Sequence, residues 1–263
     1  MKNPDKKISF LKGQFAETDR IILAYSGGVD STFLLYLLSS IDGLEMEAMT
    51  IKTPYIPQWE VDEAVGICSD LGVTHKILNL DIPDSIITNP ADRCYLCKKV
   101  LFTRIREYAI KQGFNIIADG SNADDIGEYR PGIRALKELE IRSPLLEAGF
   151  TKKEIRMHSR NVGLNSWGKP AYACLLTRLP HNIPVDKENL RAIELGEKYL
   201  HDAGFTGLRL RMHGEIARLE CDPVYFKEII ENRDRIISYL KNLGIRYVTI
   251  DIEGYRSGSM NLI

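Results

Sequence analysis

The chain has 263 residues, 44% of them hydrophobic, enough for one large domain or one with a smaller companion. Thirty-five lysines and arginines against 36 acidic residues leave a formal net charge of -1, so no overall basic field draws the protein onto tRNA or DNA, and no nucleic-acid partner is expected. No apolar stretch approaches the about twenty residues of a membrane span, and the polar start MKNPDKKISFLKGQF lacks the apolar run of a secretory leader. No membrane partner and a cytoplasmic location are therefore expected.

In chain order, the first signal is the apolar run Ile21 to Tyr25, which predicts a buried strand followed by SGGVDS and the apolar helix TFLLYLLSSI. A strand that breaks into paired glycines before a helix makes an anion cradle. Gly27 and Gly28 accept backbone angles closed to other residues, and Ser26 and Ser31 add hydroxyl donors at the positive end of the helix. A nucleotide phosphate is the expected anion, with Val29 and Asp30 in the same loop. The spacing matches neither GxxxxGK[ST] nor GxGxxG, so a lysine-bearing P-loop and a dinucleotide fold are not indicated.

Further strands are predicted at MEAMTI (46–51), HKILNL (75–80) and NIIADG (115–120), alternating with helical patterns at 57–72 and 97–113. That alternation implies an α/β fold with a parallel sheet. The five cysteines are an odd number in a chain without a leader, which argues against a disulfide framework, and Cys68 and Cys221 are expected in the core. Cys94 and Cys97 form a CxxC pair in RCYLCKK that, read alone, suits a metal site or ordinary packing equally. DGSNADDIGEYRPG ends the fourth strand at the sheet edge where ligands bind in open α/β folds. Gly120, Asn122, Asp125 and Arg130 are expected to complete the nucleotide site there. Asp30, Asp124, Asp125 and Glu128 are candidate carboxylates for Mg2+ on the phosphates.

TKKE at Thr151 to Glu154 predicts a capping box for a helix ending near Gly163, which closes a first domain at 1–165. The rhythm then changes. Helix-like KENLRAIELGEKYLHDAG precedes strand-like LRLRMH and IARLEC, a helix from about Pro223 to Leu243 and strand-like YVTIDI, which predicts a smaller α+β domain at 166–263. Arg209 and Arg211 alternate in LRLRMH and so share one strand face, which is either a pair of guanidiniums for phosphate or carboxylate or a solvated surface. Glu197 is, on helix geometry alone, an exposed residue, and the five histidines have no metal-ligand spacing.

SGGVDS resembles the pyrophosphate loop of ATP pyrophosphatases, which cleave ATP to AMP and pyrophosphate while adenylylating a substrate. The resemblance implies an adenine-nucleotide α-hydrolase-like, or PP-loop, fold. Beside such a loop, Cys94, Cys97 and the third thiol Cys174 favour a [4Fe-4S] cluster with one open iron for exogenous sulfide. SGGVDST, RCYLCKK, DGSNADDIGEYRPG, RSPLLEAGFTKKEIR, KPAYACLLTR, LRLRMHG and YRSGSMN, in this order across nearly the whole chain, are similar to the LarE family. LarE proteins are ATP-dependent sulfur transferases that convert the carboxylates of pyridinium-3,5-biscarboxylic acid mononucleotide to thiocarboxylates, in assembly of the nickel-pincer nucleotide of lactate racemase.

That resemblance implies ATP and Mg2+ as cofactors and Cys174 as the sulfur-carrying position. Cys174 is either consumed or joins Cys94 and Cys97 around a cluster that relays sulfide, and the CxxC pair points to the second. It also implies that Arg209, Arg211, Thr177 and Arg178 belong to the substrate site, that Glu197 lies near it with capacity for a metal, and that the protein is a homo-oligomer, a hexamer. A tRNA thiolation enzyme is the competing reading and predicts a basic surface. An NAD synthetase leaves the three cysteines without a role, and a nucleotide-binding Fe-S or zinc regulator would bind ATP without sulfur transfer.

Overall fold

Ile21, Ile22 and Leu23 are fully buried, and the apolar run settles as the central strand β1 (Arg20–Ala24). The computed structural model describes residues 4–15, 19–126, 131–170, 172–256 and 258–262. In it β1 pairs on one side with β2 (Glu45–Lys52), which pairs with β3 (Thr74–Asn79), and on the other with β4 (Ile116–Ala118). All pairings are parallel and the order is β3-β2-β1-β4. The four strands stand where the apolar runs predicted them.

Side-chain alternation along β1 feeds two cores. Ile21 and Leu23 join Phe33, Leu34 and Leu38 of α2 (Val29–Ser39), Ala64 and Cys68 of α3 (Gln58–Asp70) and Ile155 of α7 (Lys152–Asn161). Ile22 turns to the other face with Met49, Ile51 and the apolar side of α4 (Arg93–Gln112), namely Phe102, Ile105 and Ala109. Shorter helices α1 (Pro4–Lys12), α5 (Pro131–Glu138) and α6 (Pro144–Glu147) complete this unit, which comprises Met1–Thr53, Gln58–Pro83 and Asp92–Tyr172. Connections from β1 run to one side through β2 and β3 and then return to β4, so strand order reverses at the carboxyl ends of β1 and β4. Such a reversal opens a crevice for ligand.

The predicted capping box at α7 is present: the Glu154 N–H donates to Thr151 Oγ1 at 3.3 Å, and the Thr151 N–H donates to the Glu154 carboxylate at 2.8 Å. Lys7 of α1 meets the same carboxylate at 2.7 Å. Burial alone would raise the Glu154 carboxyl, but Lys7 and the N–H and hydroxyl of Thr151 outweigh it and hold it below the ordinary 4.5. A depressed carboxyl contributes stability above the unfolded-state value and loses it as pH falls through the folded one. The melting-point advantage of wild type over Glu154→Gln is thus expected to be constant near neutral pH and to vanish on acidification below 4.5, in melts recorded across pH.

The second unit contains Pro54–Pro57, Asp84–Ala91 and Ala173–Ile263. Its sheet has β5 (Arg209–His213) antiparallel to β6 (Ile216–Glu220) and β6 parallel to β7 (Tyr247–Ile250). Leu210, Ala217 and Leu219 are buried, as are Ile193 and Leu200 of α8 (Lys187–Asp202) and Ile236 and Leu240 of α10 (Arg233–Asn242). The single helix expected over 223–243 is instead a 3-10 turn Pro223–Tyr225, α9 (Phe226–Glu231) and α10. The break falls at Asn232, whose side-chain Nδ2 donates to the Glu228 carbonyl at 2.9 Å, the local competition with helix bonding typical of asparagine. No helix among the described residues is long and apolar enough to cross a membrane.

Candidate active site

Between β1 and α2 the chain turns at Ser26 to Gly28, and Gly27 sits at φ +70°, the left-handed region that favours glycine. A Cβ on Gly27 would stand 3.1 Å from the Ala64 Cβ, so the turn also lies flat on α3. Ser26 Oγ and Ser31 Oγ are 3.1 Å apart, and Ser31 Oγ donates to the Gly28 carbonyl at 3.2 Å. Gly28, the N-cap of α2, makes no side-chain cap bond, and its own N–H donates to Ser26 Oγ at 3.4 Å. The first amide N–H groups of α2 are therefore directed, with the positive end of the helix dipole, at any anion that enters.

The turn after β4 closes on the same place. A Cβ on Gly120 would lie 2.9 Å from the Ser31 nitrogen and 3.0 Å from its Cα, a backbone clash that no rotamer relieves. Gly120→Ala is accordingly expected to weaken anion binding at this turn more than about tenfold while the fold persists, as titration calorimetry with ATP beside a thermal melt would show, because displacing Ser31 disturbs the amides at the start of α2. Asn122 Nδ2 reaches Asp30 Oδ2 at 3.2 Å, and Lys152 Nζ reaches the same oxygen at 2.6 Å. Among the described residues Asp30 Oδ1 is buried without a hydrogen-bond partner. A hard cation shared with phosphate oxygens fits that orphaned oxygen, since Mg2+ is commonly held by one or two carboxylates plus phosphate.

Asp124 and Asp125 are engaged locally: Asp124 Oδ2 accepts the Lys152 N–H at 2.8 Å, and Asp125 Oδ2 accepts the Asn122 N–H at 2.9 Å. Both shape the turn around Asn122. Arg130 and Glu128 lie outside the described residues.

Cys94 is exposed and Cys97 half-buried in the first turns of α4, while Cys174, half-buried, precedes the 3-10 turn Leu175–Arg178 of the second unit. Among the described residues no group of three or more His, Cys, Asp or Glu side chains is gathered to hold a metal. Cys68 and Cys221 are core residues; burial pushes their thiols up to about 12 and about 11.

The backbone at Cys174 is held from several directions. Its carbonyl accepts the Thr177 N–H at 3.1 Å, Thr177 Oγ1 at 2.9 Å and Arg178 Nη1 at 3.3 Å. The Leu175 N–H donates to the Tyr55 carbonyl at 2.9 Å, and fully buried Asn89 donates Nδ2 toward the carbonyls of Leu176, Leu179 and Pro180. Arg178 is itself fully buried and forms a two-pronged pair with Glu197, 2.9 Å on each prong; Glu197 Oε1 also accepts the Leu210 N–H at 2.9 Å. Glu197 is therefore 4% exposed rather than on the solvent side of α8.

Arg209 and Arg211 are 5% exposed each, so their shared face of β5 is covered, not solvated. Arg211 pairs with Glu220 at 2.9 Å and donates to the Thr177 carbonyl at 2.9 Å, while Arg209 lies over the Tyr255 ring at 5.6 Å. The structure thus links Cys174, Thr177, Arg178, Glu197 and Arg211 through one polar network.

No family model matches the chain. A Lactiplantibacillus plantarum protein named pyridinium-3,5-bisthiocarboxylic acid mononucleotide synthase is 33% identical over 258 residues, 97% of this chain and 94% of its own. The chain belongs to this synthase family, LarE. An uncharacterized Synechocystis protein is 34% identical over 98% of both chains. A Coxiella burnetii tRNA-cytidine(32) 2-sulfurtransferase is 33% identical over 116 residues, 41% of this chain and 45% of its own.

The LarE fold is thus a PP-loop α/β unit with a small added sheet, an enzyme scaffold among sulfurtransferases. Three residues of this LarE chain were not singled out by sequence pattern: Lys152 on Asp30, Asn89 under the Cys174 turn and Lys169 beside Gly27. Lys152 alone carried a signal. A lysine in the first turn of a helix opposes the dipole and is unfavourable unless its side chain is engaged elsewhere.

Proposed function

We propose that the protein is an ATP-dependent sulfur transferase that adenylylates the carboxylates of pyridinium-3,5-biscarboxylic acid mononucleotide and replaces each with a thiocarboxylate in nickel-pincer nucleotide synthesis. The end-to-end likeness to the synthase carries this reading. The uncapped amides of α2 and the orphaned Asp30 oxygen support ATP as co-substrate.

A carboxylate is a poor electrophile with a poor leaving group, so activation comes first. The substrate carboxylate oxygen attacks the α-phosphorus, the bridge to the β-phosphate breaks, and pyrophosphate leaves toward the Ser26 to Ser31 donors. Asp30 would hold Mg2+, which would supply charge neutralisation for the departing phosphates. Sulfur then attacks the acyl adenylate, a carbon–sulfur bond forms, and AMP leaves with the carboxyl oxygen it carried. Two rounds give the bisthiocarboxylate. Thr177 and Arg178 keep the Cys174 backbone fixed throughout, and Arg209 and Arg211 are the cations for substrate phosphate or carboxylate.

For the sulfur source we propose a [4Fe-4S] cluster on Cys94, Cys97 and Cys174 that accepts inorganic sulfide, on the strength of three thiols in a CxxC-plus-Cys pattern. Among the described residues these thiols are not gathered into a group of three or more metal-ligating side chains. Anaerobic iron and acid-labile sulfide analysis decides the point. About four irons per chain, lost in Cys94→Ala, Cys97→Ala and Cys174→Ala, is the expected result; iron-free protein that loses one sulfur from Cys174 per transfer would make Cys174 the donor. The function itself is tested by pyrophosphate release. Stimulation by the pyridinium biscarboxylate mononucleotide is expected, and stimulation by tRNA alone would overturn the assignment. A cytoplasmic homo-oligomer, a hexamer, completes the proposal and is checked by light scattering.

A further inference from the structure

Two carboxylates stand close to the Gly27 turn, sharing one ammonium with its carbonyl. Glu60 and Glu63 lie on the stretch of α3 that supports the Gly27 turn, and the Glu60 carbonyl is 3.4 Å from where a Gly27 Cβ would stand. Left alone, both side chains would repel incoming phosphates. Lys169 answers them. Its Nζ is 2.5 Å from Glu63, 3.1 Å from Glu60 and 3.5 Å from the Gly27 carbonyl, and its side chain is 17% exposed. One ammonium therefore offsets half the charge of the repelling pair and ties the turn to α3.

Lys169 is also part of a strap. Arg156 of α7 donates to the carbonyls of Trp167 at 2.6 Å and Lys169 at 2.8 Å, and Tyr172 packs edge-on against Trp59 of α3 with ring centroids 5.6 Å apart. Cys174 follows two residues after Tyr172, and at 3.8 Å per residue its Cα lies within about 8 Å of that anchor by covalent reach alone. The phosphate turn and the chain leading into Cys174 thus share one support, α3, and Lys169 touches the first while belonging to the second.

We infer that Lys169 is a positioning residue that couples nucleotide on the Gly27 turn to the cysteine at 174. Phosphate that shifts the turn pulls on Lys169, and the strap passes the displacement along the chain to Cys174. The inference rests on the reading of the turn as the ATP site.

Its test needs only ATP and the full chain: calorimetric ATP affinity with Mg2+, and the iodoacetamide alkylation rate of the Cys174 peptide by mass spectrometry, with and without saturating ATP. In wild type ATP is expected to slow Cys174 alkylation severalfold. Lys169→Met should weaken ATP about tenfold, by exposing the two carboxylates, and abolish the slowing even when ATP saturates. Lys169→Arg should retain most of both. Glu63→Gln, at a position 53% exposed, loosens the same tie if Lys169→Met does not fold, and should at least halve the slowing.

Wild-type slowing in Lys169→Met at saturating ATP, or in Glu63→Gln where that variant stands in, overturns the coupling and leaves the ATP site intact. No ATP effect on Cys174 in wild type overturns it equally. Failure of wild type to bind ATP removes the ATP reading and this inference together, and the calorimetry separates that case from the others.

Discussion

Replacing Arg178 with methionine is expected to cost about 3–5 kcal/mol in stability, the range for leaving one partner of a buried pair uncompensated. The guanidinium is fully buried and meets both oxygens of Glu197, so its removal leaves a carboxylate with 3% side-chain exposure facing an apolar neighbour. Urea unfolding followed by a probe in the second unit measures the loss. Arg178→Met/Glu197→Met should recover most of it, because deleting both charges removes the desolvation cost along with the attraction. Sulfur transfer should stay low in the double variant even so. Arg178 also donates to the Ala173 and Cys174 carbonyls at 2.7 and 3.3 Å, and methionine cannot. Recovery of activity together with stability would show that Arg178 has no part in placing Cys174.

Asp30→Asn should lower the rate of pyrophosphate release at least about a hundredfold, the scale of losing one electrostatic contact to a transition state that develops charge. The substitution keeps the shape of the side chain but removes its negative charge and replaces one carboxylate oxygen with an NH2 group that cannot ligate a cation. The diagnostic is metal dependence: wild-type rates should rise steeply with Mg2+, and the variant should be nearly indifferent to it. Lys152→Met provides the opposite control. With Lys152 at 2.6 Å, Asp30 already has a cation, so the variant should bind Mn2+ more tightly in the absence of nucleotide, readable by electron paramagnetic resonance. Unchanged Mn2+ affinity would mean that the ammonium and the metal do not compete.

Much of this molecule is written locally. Ile21 to Tyr25 could become little but a buried strand, the paired glycines after it mark a sharp turn into a helix, and Thr151 with Glu154 caps a helix through bonds three residues apart. Asn232 escaped the pattern because a single side chain decided whether one helix continued or broke. The amphipathic count at Glu197 misplaced it for a different reason: helix period identifies a polar residue, but only the buried Arg178 opposite it makes an inward carboxylate stable.

The sequence by itself determined the parallel order of strand and helix, the glycine turn between β1 and α2, the thiol pattern and, through motifs in register along nearly the whole chain, the family. These are properties of short segments, in which backbone freedom, apolar period and residue chemistry act over a few neighbours. Only the tertiary structure decided which charges are spent on each other. Lys152 reaches Asp30 across 122 residues and Lys169 reaches the Gly27 carbonyl across 142, and no local rule pairs groups so far apart. Burial makes those pairings decisive, because a charge removed from water must find its partner wherever the fold has put it.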